Sequence, residues 1–246
     1  MSQQIAVVAG GSLGLGREVA RGLLASGRKV AILGRSQQSL DEAAADLGGS
    51  VLAVPVDIGQ EASVVAGFAR IDAALGPVDT LVNCAAIFQP FALEDATAER
   101  IMPMVEINFC GIVYCMREAV SRMRGLGGGD IVNVSSESVH TTTPFFTIYT
   151  ATKAAVESFT RTMGEELRED GIRCTTFRVG RMLSHGANNV AMEPALMERY
   201  LDRILVTGSG YRTGEGMSTQ SAAQALVGLL QIPRDARAEF MEVRSR

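Results

Sequence analysis

Lysine is almost absent from this 246-residue chain: 21 of its 23 basic residues are arginine, and the two lysines are Lys29 and Lys153. Basic residues are also outnumbered by 27 acidic ones, for a formal charge of −4. That balance lacks the positive footprint of a sequence-independent nucleic-acid binder. No stretch approaches the ~18 uncharged apolar residues of a membrane span. The opening Met1-Ser2-Gln3-Gln4 carries no basic residue ahead of the first apolar run, so a secretory leader is not expected. Cysteine is scarce too: Cys84, Cys110, Cys115 and Cys174 show no Cys-x-x-Cys spacing. In a chain of this size they read as reduced, mostly buried thiols rather than metal ligands or disulfide partners. What remains is a soluble, cytoplasmic protein with no nucleic-acid, membrane or metal partner, long enough to bury a core without staples.

What is present is a regular alternation. Short β-branched runs recur at 5–9, 29–33, 51–56, 80–83, 130–135, 172–177 and 239–243. Between them, at 17–25, 38–47, 61–75, 99–123, 148–168 and 220–230, apolar residues fall at three-and-four spacing. Strands alternating with helices predict crossover units and a parallel sheet covered on both faces. The strands are apolar throughout, as burial on both sides demands. The expectation is an α/β, doubly wound, seven-stranded parallel sheet in a single domain spanning 1–246, with 239–243 as its edge strand. Glycines at 125–129 mark a surface turn. One stretch breaks the rhythm, at about 183–217, with a helix opened by Pro194. It leaves a C-terminal strand end, where such sheets bind ligands, so it is either a substrate lid or a cover over the core.

The first strand runs into Gly10-Gly11-Ser12-Leu13-Gly14-Leu15-Gly16 and then a helix. Gly10, Gly14 and Gly16 let the backbone approach a pyrophosphate closely, with Ser12, Leu13 and Leu15 lining the same turn and the helix N-terminus facing the phosphates. A nucleotide ribose would then lie at the end of the second strand. There Gly34 offers no carboxylate, and Arg35 offers a guanidinium fork suited to a 2′-phosphate. NADP is therefore favoured, with NAD possible.

Tyr149-Thr150-Ala151-Thr152-Lys153 sets a phenol and one of two lysines on one helical face. With four tyrosines and two lysines, this spacing is expected only about 0.03 times by chance. A phenol of pKa near 10 is a poor acid or base at neutral pH, and an adjacent ammonium favours its ionised form.

With these elements in order, the chain resembles the short-chain dehydrogenase/reductase family over essentially its whole length. The matching residues are the glycine turn, Asp57 after the third strand, Asn83 ending the fourth, Asn108 in the following long helix, a serine after the fifth strand, Tyr149 with Lys153, and Gly180 after the sixth. The resemblance implies a Rossmann fold and hydride transfer between a nicotinamide and a CH–OH or C=O carbon. It implies Tyr149 as general acid/base, and Lys153 lowering the Tyr149 pKa and holding the nicotinamide ribose. Ser136, thirteen residues before the tyrosine, would orient the substrate oxygen, and Asn108 would support a water-linked proton relay. Asp57 and Ile58 would flank the adenine, while Asn83, Ala85, Gly180, Met182 and Ser184 complete the cofactor contacts. Family members assemble through their long helices, so a homodimer or homotetramer is expected.

The chain departs from the family pattern at three places. Ala9 stands where threonine is usual, Asn83-Cys84-Ala85-Ala86 replaces Asn-Asn-Ala-Gly, and Val179-Gly180 replaces Pro-Gly, with Ser184 for the downstream threonine. No catalytic group is lost. Ile87, Phe88, Phe91, Phe145, Phe146 and the lid methionines favour a hydrophobic ketone or secondary alcohol as substrate. Glu137, His140 and His185 are candidates for a polar substrate contact, and Arg181 and Arg212 for a carrier phosphate. A 3-oxoacyl-thioester reductase and a non-catalytic nucleotide-binding sensor are the alternatives.

Overall fold

The computed structural model describes residues 4–141, 143–183, 192–207 and 215–246. Its strands are β1 (Ile5–Ala9), β2 (Lys29–Gly34), β3 (Val51–Pro55), β4 (Thr80–Asn83), β5 (Gly129–Ser136), β6 (Ile172–Val179), the short β7 (Met182–Leu183) and β8 (Met217–Ser218), and β9 (Phe240–Val243). Seven of them form one sheet in the order β3-β2-β1-β4-β5-β6-β9, every neighbouring pair parallel. The chain direction across the sheet reverses between β1 and β4, which opens a crevice at their C-terminal ends. The expected doubly wound α/β sheet is the one found, with β9 on its edge.

Alternation along β1 divides the core. Ile5, Val7 and Ala9 face one side, where they meet Val64, Phe68 and Ile71 of α3 (Glu61–Ala74). Ala6 and Val8 face the other, against Leu15, Val19 and Leu23 of α1 (Gly14–Ala25) and Leu40 and Ala43 of α2 (Gln37–Asp46). Each such fully buried Leu, Ile or Phe contributes about 1.5–3 kcal/mol over an exposed one.

The helix expected over 99–123 is broken in the middle. It forms α4 (Ala98–Val105), a π-helical turn over Glu106–Cys110, and α5 (Gly111–Leu126). Gly111 presses on the β3–α3 loop, where a Cβ would lie 2.9 Å from the Ile58 carbonyl oxygen. A wide turn of this kind keeps the apolar spacing while redirecting one residue, here Asn108, and so leaves little trace in the pattern. Downstream come α6 (Ser138–Thr141), α7 (Thr147–Glu166), α8 (Pro194–Thr207) and α9 (Thr219–Leu229). Met182 pairs with Met217 and Leu183 with Ser218, so the two ends of the expected 183–217 insertion are stitched together. Pro194 opens α8 as expected. No described helix is long and apolar enough to cross a membrane.

Beneath the crevice, β4 and β5 are joined by side chains. Asn83 Nδ2 donates to Asn133 Oδ1 at 2.8 Å, and Asn133 Nδ2 donates to Thr160 Oγ1 of α7 at 2.9 Å. Asn83 Oδ1 already has no partner among the described residues. Replacing Asn133 by Ala strands the Asn83 amide as well, so Asn133→Ala is expected to cost about 1–3 kcal/mol. Urea unfolding should show a lower midpoint at unchanged slope.

Candidate active site

The turn after β1 is built by close approach. Gly10 (φ 81°) and Gly14 (φ 52°) are in the left-handed region that favours glycine. A Cβ on Gly10 would lie 2.7 Å from the Ala85 backbone, and one on Gly16 would lie 2.2 Å from the Gly10 carbonyl oxygen. The turn is held from behind by Arg17, whose Nε and Nη2 donate to Ser12 O at 2.9 and 2.5 Å. At the start of α1, the N-cap residue Leu13 supplies no side-chain hydrogen bond to the helix. The first N–H groups of that helix therefore stay open for an anion.

A cleft of about 680 Å³ runs from this turn across the C-terminal strand ends. Gly10, Ser12, Leu13, Gly14, Leu15 and Gly16 wall one side, with Arg35 after β2 and Asp57 and Ile58 after β3. Ala85, packed beside Gly10, and Ala86 continue the wall, which also includes Tyr149, Lys153 and Met182. The length of this wall, its open helix N-terminus and the space kept by the glycines fit a dinucleotide. Arg35 is exposed at the rim and makes no ion pair among the described residues. Gly34 sits under it, where a Cβ would be 3.2 Å from Ser12 Oγ. Asp57 shapes its own loop, with Oδ1 accepting from Gly59 N at 3.0 Å.

Lys153 is only 2% exposed, and its Nζ donates to the Val134 carbonyl oxygen of β5 at 2.9 Å. Burial pushes its pKa down to about 8, partly opposed by Cys84. Nζ lies 5.9 Å from the centroid of the Tyr149 ring. Burial moves the Tyr149 phenol upward, while a hydrogen bond with Ser136 works the other way. Desolvation thus moves the phenol opposite to the expected lowering by Lys153, whose bond to Val134 uses one of its three N–H donors.

The two serines at the end of β5 diverge. Ser135 is buried and donates to Glu157 Oε1 at 2.7 Å. Ser136 Oγ accepts from Ser138 N at 3.2 Å, and the Ser136 hydroxyl is the neighbour that opposes the burial shift of the Tyr149 phenol. Asn108, turned inward by the π-helical turn, clamps the loop after β4: its Oδ1 accepts from Ile87 N and its Nδ2 donates to Ile87 O, both at 2.8 Å. The same Nδ2 reaches Thr152 Oγ1 at 3.2 Å, and Thr152 donates to the Tyr149 carbonyl at 2.7 Å. Thr152 is a link that residue spacing did not single out.

Several expected contacts are placed elsewhere. Asn83 is turned into the sheet rather than along the cleft wall, held by Asn133. Gly180 lies behind the wall, against Glu137 and Arg244. Glu137 is buried and bonded to the protein, so it does not face a substrate. Ser184, His185 and Arg212 lie outside the described residues. Phe91 is buried at 5% exposure, whereas Phe88 walls the cleft, 5.9 Å from both the Tyr149 and Phe146 rings. Tyr200 of α8 packs on Phe146 at 6.2 Å. Phe145, at φ 64°, is the one non-glycine in the left-handed region among the described residues, and its carbonyl accepts from Phe91 N at 3.1 Å.

Comparison with known proteins agrees with this geometry. A family model described as short chain dehydrogenase matches residues 4–194. The oxidoreductase YgfF of Escherichia coli is 35% identical over 239 residues, covering 92% of this chain and 92% of that protein. A 3-oxoacyl-(acyl-carrier-protein) reductase of Bos taurus is 31% identical over 230 residues, covering 94% and 92%. Among solved structures, L-sorbose reductase from Gluconobacter frateurii, complexed with NADPH and L-sorbose, aligns with a TM-score of 0.82 at 25% identity, covering 99% of this chain and 95% of that one. With its ordered motifs, its sheet and its cleft, the chain belongs to the short-chain dehydrogenase family of NAD(P)-dependent oxidoreductases.

Proposed function

We propose that this enzyme uses NADP(H) to interconvert an apolar ketone and its secondary alcohol, with Tyr149 as general acid/base. The observation that carries the reading is the meeting of Tyr149 and buried Lys153 in the wall of a dinucleotide-sized cleft that also bears Arg35, with Ser136 next to Tyr149. A bound nicotinamide supplies a hydride to the carbonyl carbon or removes one from the carbinol carbon. In the reducing direction the Tyr149 hydroxyl gives its proton to the substrate oxygen as the C=O bond becomes C–O–H. The Ser136 hydroxyl orients that oxygen, and Lys153 holds the ribose and stabilises the phenolate left behind. Burial keeps the phenol protonated, which suits it to the acid role. Asn108 and Thr152 hold Ile87 and the Tyr149 backbone in register.

Ile87, Phe88 and the Phe146–Tyr200 pair favour an apolar substrate. A 3-oxoacyl thioester is the second reading, favoured by the Bos taurus relative; comparing kcat/KM for acetoacetyl-CoA and for aryl ketones separates the two. Buried Cys115 and Cys174, whose thiols burial pushes up to about 12, suit a reducing cytoplasm. The same reading takes a homodimer or homotetramer assembled through α5 and α7.

Removing the phenol oxygen should stop chemistry and spare binding. Tyr149→Phe is expected to lower kcat by about 10²–10⁴-fold, with the NADPH Kd from nicotinamide fluorescence unchanged. Unaltered turnover would instead move the sensor reading forward. Arg35→Gln should weaken NADPH by about tenfold or more, the worth of a charged hydrogen bond to phosphate, and leave NADH untouched. Parallel titrations with the two nucleotides decide this.

The lysine gives opposite signs for stability and binding. Its pKa is 10.5 ordinarily and about 8 when folded, so between these values the unfolded chain holds more protons. Stability of the free enzyme should therefore rise with pH over that window relative to Lys153→Met. Over the same window kcat/KM for ketone reduction should fall, as the ammonium is lost. Thermal melts and a pH–rate profile check the pair of trends.

A further inference from the structure

Glu137 follows Ser136 directly, yet its carboxylate is spent on the protein itself. The side chain is 8% exposed. Its Oε1 accepts from the backbone N–H of Arg181 at 2.8 Å, and its Oε2 accepts from Arg244 Nε at 3.2 Å. Gly180 keeps the space for this contact: a Cβ there would lie 3.0 Å from Glu137 Oε2 and 3.2 Å from Arg244 Cα.

The residues around Arg244 reach further along the same wall. The Val243 carbonyl accepts from Gly180 N at 2.9 Å, and Ser245 Oγ accepts from Gly216 N at 3.2 Å. Gly216 leads into β8 and Arg181 into β7, while Met217 N donates to the Arg181 carbonyl at 3.0 Å. Residues 243–245 thus grip both strands of the small sheet. Met182, the first residue of β7, walls the cleft together with Tyr149 and Lys153.

We infer that Glu137 is a positioning residue, and that Arg244 sets the inner wall of the cofactor cleft through it, with Ser245 holding the residue that leads into β8. Glu137 fixes the Arg181 amide, and with it the backbone that presents Met182. Arg244 fixes Glu137 by supplying the charge that a buried carboxylate needs. The inference rests on the reading of the cleft as a nicotinamide site. It adds a segment remote in sequence, beyond β9, to the machinery that shapes that site.

The test uses the full chain with Arg244→Met, Glu137→Ala and Glu137→Gln. Arg244 is 41% exposed, so its replacement carries the test alone should Glu137→Ala not fold. Two readouts are taken: amide hydrogen exchange at Arg181 without nucleotide, and NADPH affinity with the split between KM and kcat. Arg244→Met and Glu137→Ala should speed exchange at Arg181 and raise the NADPH Kd and KM about tenfold, with kcat at saturation within about twofold. Glu137→Gln keeps an oxygen for the Arg181 amide but sets an amide donor against Arg244 Nε, so it should fall between the wild type and Glu137→Ala in both readouts. Unchanged NADPH affinity in folded Arg244→Met overturns the inference, whatever the exchange shows. If the wild type binds neither NADPH nor NADH, the functional reading falls separately. Exchange at Arg181 then decides: faster exchange in Arg244→Met supports the positioning, and unchanged exchange overturns it.

Discussion

A buried ammonium without a carboxylate beside it governs this structure. Lys153 makes no ion pair among the described residues and rests on one hydrogen bond, to the Val134 carbonyl. An arginine at this place would be charged at every accessible pH and would need a planar partner. A lysine is a compact donor whose pKa burial can bring to about 8, near the working range of an enzyme. That explains why a chain so rich in arginine keeps lysine here. It also sets what surrounds the site. The carboxylate four residues on along the same helix, Glu157, is bound by Arg178 through Nε and Nη2 at 2.9 and 2.7 Å. Burial alone would raise the Glu157 carboxyl, but hydrogen bonds from Arg178 and Ser135 hold it below its ordinary range. Glu157 is thus committed elsewhere, and the lysine stays available to a ligand.

Much of the fold was legible because the sheet is buried on both faces. Continuous β-branched runs are unambiguous where no strand has a wet side, and β4 falls on 80–83 as its pattern indicates. Ends were less legible: β6 runs on to Val179, where its last residues are paired on both sides, with Ser135 and Ser136 of β5 and with Glu242 and Val243 of β9 from more than sixty residues away. The spacing of Tyr149 and Lys153 could be read directly, being a property of one helix. The orientations of Asn83 and Asn108 could not. Both depend on contacts made across the fold, Asn83 on Asn133 and Asn108 on the turn at Glu106–Cys110. Glu137 looked like a substrate contact by sequence position, and only the return of Arg244 reveals that its charge is already satisfied.

The departures from the family pattern are absorbed by neighbours. Ala9 is fully buried in the core and leaves the turn one side-chain hydrogen bond short. The turn is instead fastened by Arg17 to Ser12 O and by the Gly10 and Gly11 amides to Leu33 O at 2.9 and 3.2 Å. Those backbone bonds tie the phosphate side of the cleft to β2, the strand that carries Arg35. A displacement of the turn would therefore be felt at both ends of the adenosine portion together.

Val179 does more than replace proline. A proline has no N–H for a sheet and ends strands. Valine lets β6 pair with β9 in register through Val179 and Val243. Because that pairing continues to the last residue, the chain leaves β9 directly over Gly180, and Arg244 meets Glu137 without a connecting loop. Charges then alternate from α7 to the end of β5: Glu157, Arg178, Glu242, Arg244, Glu137, with successive contacts of 2.7, 3.2, 3.8 and 3.2 Å. Its exposed members contribute little to stability individually, since surface pairs of this kind are worth ~0–1 kcal/mol. Their effect is geometric. The ladder joins the helix bearing Tyr149 and Lys153 to the strand end bearing Ser136 by a second route, independent of the hydrogen bonds inside the cleft. A substitution at 179 that stopped β6 early would break this route and, through Glu137 and the Arg181 amide, loosen the backbone that presents Met182 to the cleft, while Tyr149 and Lys153 keep their places on α7.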